Sequence, residues 1–109
     1  MTDWKEKLEI EFERAYAARG RGNEAQARVC ARRAAGIAAR EYFSRRGQTI
    51  RTPSAYDLLN LLADDPHLSP DLKQAAAHLT LRVTEEFKLP IEVDLLNEAR
   101  QLCDELLQE

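Results

Sequence analysis

The stretch 23–46, NEAQARVCARRAAGIAAREYFSRR, constrains the fold of this chain more than any other. It is dense in alanine, the best helix former, and contains no proline. At about 100° per residue it separates into two faces. Ala27, Cys30, Ala31, Ala34, Ala35, Ile37, Ala38 and Tyr42 share one apolar sector, and Arg28, Arg32 and Arg46 cluster on its flank, with Arg33 and Arg40 further round. Such a helix offers a small-residue face that lets neighbouring axes approach closely, and a guanidinium face suited to carboxylate or phosphate. Glu41 falls inside the apolar sector, and an arginine of a neighbouring helix is its expected partner.

Punctuation divides the rest of the chain. Asp3, with Glu6 three residues on, opens a first helix whose stripe is Trp4, Leu8, Phe12, Ala15 and Tyr16; Ile10 points elsewhere, toward a partner. Arg19-Gly20-Arg21-Gly22 ends it, and Asn23 caps the alanine helix, which stops at Gly47. A third helix starts at Thr52 or Ser54, with Pro53 in its first turn, and turns Tyr56, Leu59 and Leu62 inward, with Leu58 and Leu61 widening the stripe. Asp64-Asp65-Pro66 breaks it, and Ser69-Pro70-Asp71 begins a fourth helix expected to run through Phe87 to Leu89-Pro90. The last helix runs from about Asp94 through Leu95, Ala99, Leu102 and Leu106. No five-residue run alternates as a half-buried strand does. The expectation is one all-α domain over residues 1–109: an up-and-down bundle of four main helices plus a short fifth.

The net charge of −3 conceals an asymmetry, since residues 19–51 hold nine arginines against Glu24 and Glu41, while the chain from Thr52 holds twelve acids against four bases. Those acids can occupy the arginines within one monomer or across a dimer; the alternative is a nucleotide or nucleic-acid surface. The acidic start without an apolar run and the absence of any membrane-length apolar segment point to a cytoplasmic protein. Cys30 and Cys103, each on an apolar helical face, read as reduced core thiols. No histidine has a second ligand at metal spacing, and no glycine-rich phosphate loop or nucleophile elbow is present, so neither metal nor cofactor is expected. His78 and Arg82, one helical turn apart, are the one base-plus-cation pair, although a plain surface pair is the commoner arrangement. The candidate ligand-binding residues are therefore Arg28, Arg32, Arg33, Arg40, Arg46, His78 and Arg82, with Phe43 as a possible stacking surface. No catalytic residue is assigned.

Three segments in order, GRGNEAQARVCARRAAGIAAREYFSRRG, SAYDLLNLL and EEFKLPIEVDLLNEARQLCDELL, resemble the HEPN (higher eukaryotes and prokaryotes nucleotide-binding) family across residues 13–107. The resemblance implies a helical bundle, frequently a homodimer, often working beside a small nucleotidyltransferase. Catalytic members carry an arginine followed four to six residues later by a histidine, which forms a metal-independent ribonuclease site at the dimer interface. Here no histidine follows Arg82 or Arg100 at that spacing, and Gly36 and Arg40 stand where many relatives have an acid and a lysine. The expectation is a non-catalytic nucleotide-binding or interaction module that forms a homodimer; the alternative is an RNA- or nucleotide-binding, toxin–antitoxin-type component using the arginine face of the second helix, with or without weak ribonuclease activity through His78 and Arg82.

Overall fold

The computed structural model describes residues 3–81 and 94–107, and among these all regular structure is helical. The helices are α1 (Trp4–Gly20), α2 (Glu24–Arg45), α3 (Ala55–Ala63), α4 (Pro70–Leu79) and α5 (Leu95–Leu106). Each begins where a short polar side chain takes an orphan amide. Asp3, Asn23, Ser54, Ser69 and Asp94 accept from the backbone N–H of Glu6, Gln26, Asp57, Leu72 and Asn97. Gly22 and Gly47, both at φ 77°, supply the left-handed backbone after α1 and α2.

The alanine helix is the centre of the bundle. It packs against α1, α3 and α5, while α4 closes the far side against α3 and α5. Ala27, Ala31, Ala34, Ala35, Ala38 and Ala39 are fully buried. Larger side chains on the neighbours fill the space: Phe12 from α1, Leu59 and Leu62 from α3, Leu79 from α4, and Leu95, Leu96 and Leu102 from α5. Pairing short alanine faces with long leucines meets the density a core requires. Cys30 and Cys103 are buried free thiols, as expected.

Charged contacts near the helix ends reveal the sense of each helix. Arg45 lies over the Trp4 ring at 5.4 Å, and Arg19 pairs with Glu24 at 2.8 Å, so α1 and α2 are antiparallel. Arg19 also reaches Asp94, and Arg100 reaches Glu9, so α5 opposes α1 and runs with α2. The start of α3 at Ala55 abuts Gly36, and Asp65 beyond its end receives the Tyr42 hydroxyl, so α3 also follows the sense of α2. Strict up-and-down alternation is therefore not met: the link after α2 doubles back along it before α3 begins. The lengths differ from expectation too, with two long helices of 17 and 22 residues and three short ones.

Several expected faces are also corrected. Tyr16 is 52 % exposed and Leu61 45 %, while Tyr56 is 36 % exposed. Ala18 on α1 is buried instead, while on α3 Leu58, Leu59 and Leu62 are inside as expected. Phe43 is buried in the core, edge-on to Tyr42 with ring centroids 5.4 Å apart, and cannot stack on a ligand. Glu41 pairs within its own helix, with Arg45 at 3.1 Å, rather than with a neighbour. α4 stops at Leu79, where Thr80 caps it, well short of Leu89. The expected continuation through Val83 and Phe87 lies outside the described residues.

Candidate functional site

Opening α2 into a bundle disperses its arginine stripe. Arg32 turns toward α4, where Nε donates to the Leu79 carbonyl at 2.6 Å and Nη2 to the Leu81 carbonyl at 3.3 Å. These are carbonyls that a helix C-terminus leaves unsatisfied, and a guanidinium there also opposes the negative end of the dipole. Arg32 is a structural clamp. Arg46 lies over the Tyr42 ring at 5.3 Å and donates to its hydroxyl, which in turn donates to Asp65 at 2.8 Å. Burial raises the Tyr42 phenol above its ordinary value, and the hydrogen bond to Asp65 adds to this. Asp65 is itself desolvated, yet the His67 amide and the Tyr42 hydroxyl hold its carboxyl below the ordinary value. This cluster locks the α3–α4 turn onto the end of α2. Arg28 is half-buried near the start of α2, one turn before Arg32.

His78 is half-buried between α4 and α5, where its Nδ1–H donates to the Glu98 carboxylate at 2.8 Å. It serves as an interhelix tie, and its expected companion Arg82 lies outside the described residues.

Arg33 and Arg40 do meet in one place. They face a cleft of about 490 Å³ between α1, α2 and the start of α3. The helix-pair register, anchored by Trp4–Arg45 and Arg19–Glu24, sets Lys7 level with Arg40, Glu11 with Gly36, and Arg14 with Arg33. All six line the cleft, and its apolar walls come from Ile10, Ile37, Pro53, Ala55 and Leu58. One carboxylate stands among four cations. Arg40 is held in place by donating to the carbonyls of Ile50 and Thr52, and Arg14 donates to Glu11 Oε1 at 3.0 Å. Lys7 and Arg33 are exposed, with no ion pair among the described residues.

The close approach of α3 shapes this wall. A Cβ added at Gly36 would stand 2.7 Å from Ala55 Cβ and 3.0 Å from Ala55 Cα. Gly36 therefore lets Pro53, Ala55 and Leu58 come in as the third side of the cleft. A concave site of this volume with apolar walls and a few charges is the usual form of a small-molecule site. Among the described residues no group of His, Cys, Asp and Glu side chains is arranged to hold a metal ion. No described helix is long and apolar enough to cross a membrane.

Sequence reasoning reached Arg33 and Arg40 but missed Lys7, Glu11 and Arg14. Their signal was present as i, i+4, i+7 spacing on α1, which places all three on one side. Ile10, already set apart from the α1 core stripe, belongs to the same side.

No family model, curated protein or solved structure matches the chain.

Proposed function

We propose that this chain is a non-catalytic binding module that takes a nucleotide in the cleft between α1, α2 and the start of α3. The carrying observation is the convergence of Lys7, Arg14, Arg33 and Arg40 on one apolar-walled cleft with a single opposing carboxylate. A cleft dominated by one sign of charge and walled by low-dielectric groups focuses its field and concentrates counter-charged ligands. Arginine forks pair bidentately with phosphate oxygens. Ile10 and Ile37 line the cleft with apolar surface that a base and ribose can cover. The volume also lies within the range of small-molecule sites. Because the lining is made of cations, one acid and apolar groups, it serves capture better than nucleophilic or acid–base chemistry. The HEPN resemblance implies the same ligand class, although the site moves from the outer arginine stripe to the α1–α2 cleft. Calorimetric titration with nucleoside monophosphates at low salt tests this. The Lys7→Ala/Arg33→Ala variant is expected to lose about tenfold or more in affinity. Unchanged binding in that variant would place the ligand elsewhere.

A second reading, pairing of two copies, draws on the exposed apolar side chains Tyr16 and Leu61. The alanine face of α2 is already covered within the chain, so among the described residues the large apolar side chains left for pairing lie on the outer sides of α1 and α3. Sedimentation at micromolar concentration separates the two states, and a strict monomer ends this reading.

A further inference from the structure

Anion capture leaves one group in the cleft without a role. Glu11 is only 9 % exposed; its Oε1 accepts from Arg14 at 3.0 Å, but Oε2 is buried with no hydrogen-bond partner. A buried acceptor that has lost its water without gaining a donor is destabilising, and native chains keep few of them. A purely anion-binding cleft is also better served by a neutral side chain at this position, since a carboxylate repels phosphate. The position of Glu11 is informative. It sits level with Gly36, midway between the Lys7/Arg40 end and the Arg14/Arg33 end, with Ile10 and Ile37 beside it. The terminal torsion of a glutamate is soft, so the carboxylate can turn toward the cleft it lines without moving the helix, either oxygen then taking the Arg14 donor.

We infer that Glu11 selects the base of the bound nucleotide, and that the ligand is a guanine nucleotide whose adjacent N1–H and N2–H₂ groups donate to the Glu11 carboxylate while its phosphate lies among the cations. This rests on the nucleotide reading above and names its ligand class. An ionised carboxylate only accepts, through about four lone-pair sites, so Arg14 on Oε1 leaves capacity for two further donors. Guanine presents two adjacent donors on one edge. Adenine and cytosine each place a ring acceptor beside their amino group, and that acceptor repels the carboxylate. Uracil sets its single N–H between two carbonyl oxygens. Hypoxanthine keeps N1–H but lacks the amino group, so it falls between guanine and adenine.

Titration calorimetry of the full chain with GMP, IMP and AMP tests the assignment, with pyrophosphate as a base-free probe of the cations. The parent is expected to bind GMP about tenfold or more tighter than AMP, with IMP between them. Glu11→Gln and Glu11→Met are expected to hold or tighten AMP and pyrophosphate binding while losing the preference for GMP. Both variants are expected to fold, because the partner each gives up, Arg14, is itself solvent-exposed and can be hydrated; thermal melts check this. Equal binding of GMP and AMP by the parent overturns base selection and leaves anion capture standing. So does a GMP preference that survives in folded Glu11→Met. If neither the nucleotides nor pyrophosphate binds, anion capture fails and base selection fails with it.

Discussion

Replacing Gly36 with alanine sets helix propensity against packing. In an exposed mid-helix position the change stabilises by about 1 kcal/mol, because alanine gives up less backbone freedom on folding. In α2 the new Cβ stands 2.7 Å from Ala55 Cβ and 3.0 Å from Ala55 Cα. Neither atom is the end of a flexible side chain, so the start of α3 has to move. Overpacking of this kind costs about 1–3 kcal/mol, which outweighs the propensity gain. The expected net result is a loss of about 1 kcal/mol, read as a fall of about 4 °C in Tm for a domain of this size. Thermal denaturation by circular dichroism is the assay. Adding Ala55→Gly removes the clash between the two methyl groups but leaves the Ala55 backbone just as close, so partial recovery is expected. Since Pro53, Ala55 and Leu58 form the third wall of the cleft, Gly36→Ala should also weaken nucleotide binding. A rise in Tm of about 4 °C for Gly36→Ala would refute the close-approach reasoning.

Arg32→Ala removes two donors from carbonyls at the end of α4 and should destabilise the fold by about 2 kcal/mol in urea, with ligand affinity unchanged. The Arg19 hydrogen bond holds the Asp94 carboxyl below its ordinary 3.8, and the Asn97 amide adds to this against the opposing effect of burial. A lowered folded-state pKa means the carboxylate stabilises the fold above about pH 4, and that contribution is lost as pH falls through the folded value. Asp94→Asn keeps the helix cap, so it should remove less than about 1 kcal/mol at pH 7 for this exposed pair, and the difference from the parent should vanish toward pH 2. Burial, with Asp104 adding, pushes the Cys103 thiol up to about 12, so at pH 8 it should be inert to a disulfide reagent until denaturant opens the bundle.

The helix starts were legible because capping is local. Asp3, Asn23, Ser69 and Asp94 each act within one turn, and no tertiary contact is needed to choose them. The alanine sector was legible for a related reason: a face of such small residues has little use except close packing. Face limits were less legible. Phe43 and Ala39 sit at the edge of the α2 sector, and α3 doubling back along α2 determines that both go inside. Tyr16 and Leu61 lose their expected cover because α1 and α3 meet the core through narrower stripes than their apolar residues suggest. The Leu79 carbonyl at the end of α4 is met by Arg32, 47 residues away, a contact that no local pattern signals. The cleft was half legible. Arg33 and Arg40 stand out by composition, whereas Lys7, Glu11 and Arg14 look like an ordinary solvated face until the register of α1 against α2 sets them opposite those arginines.

The direct measurement of ligand capture is a titration of the ¹⁵N-labelled chain with GMP, followed by amide chemical shifts. Capture in the cleft predicts changes concentrated at residues 7–14, 33–40 and 53–58, the three segments that wall it. Changes centred on His78 or Arg46, or none at millimolar ligand, would contradict it.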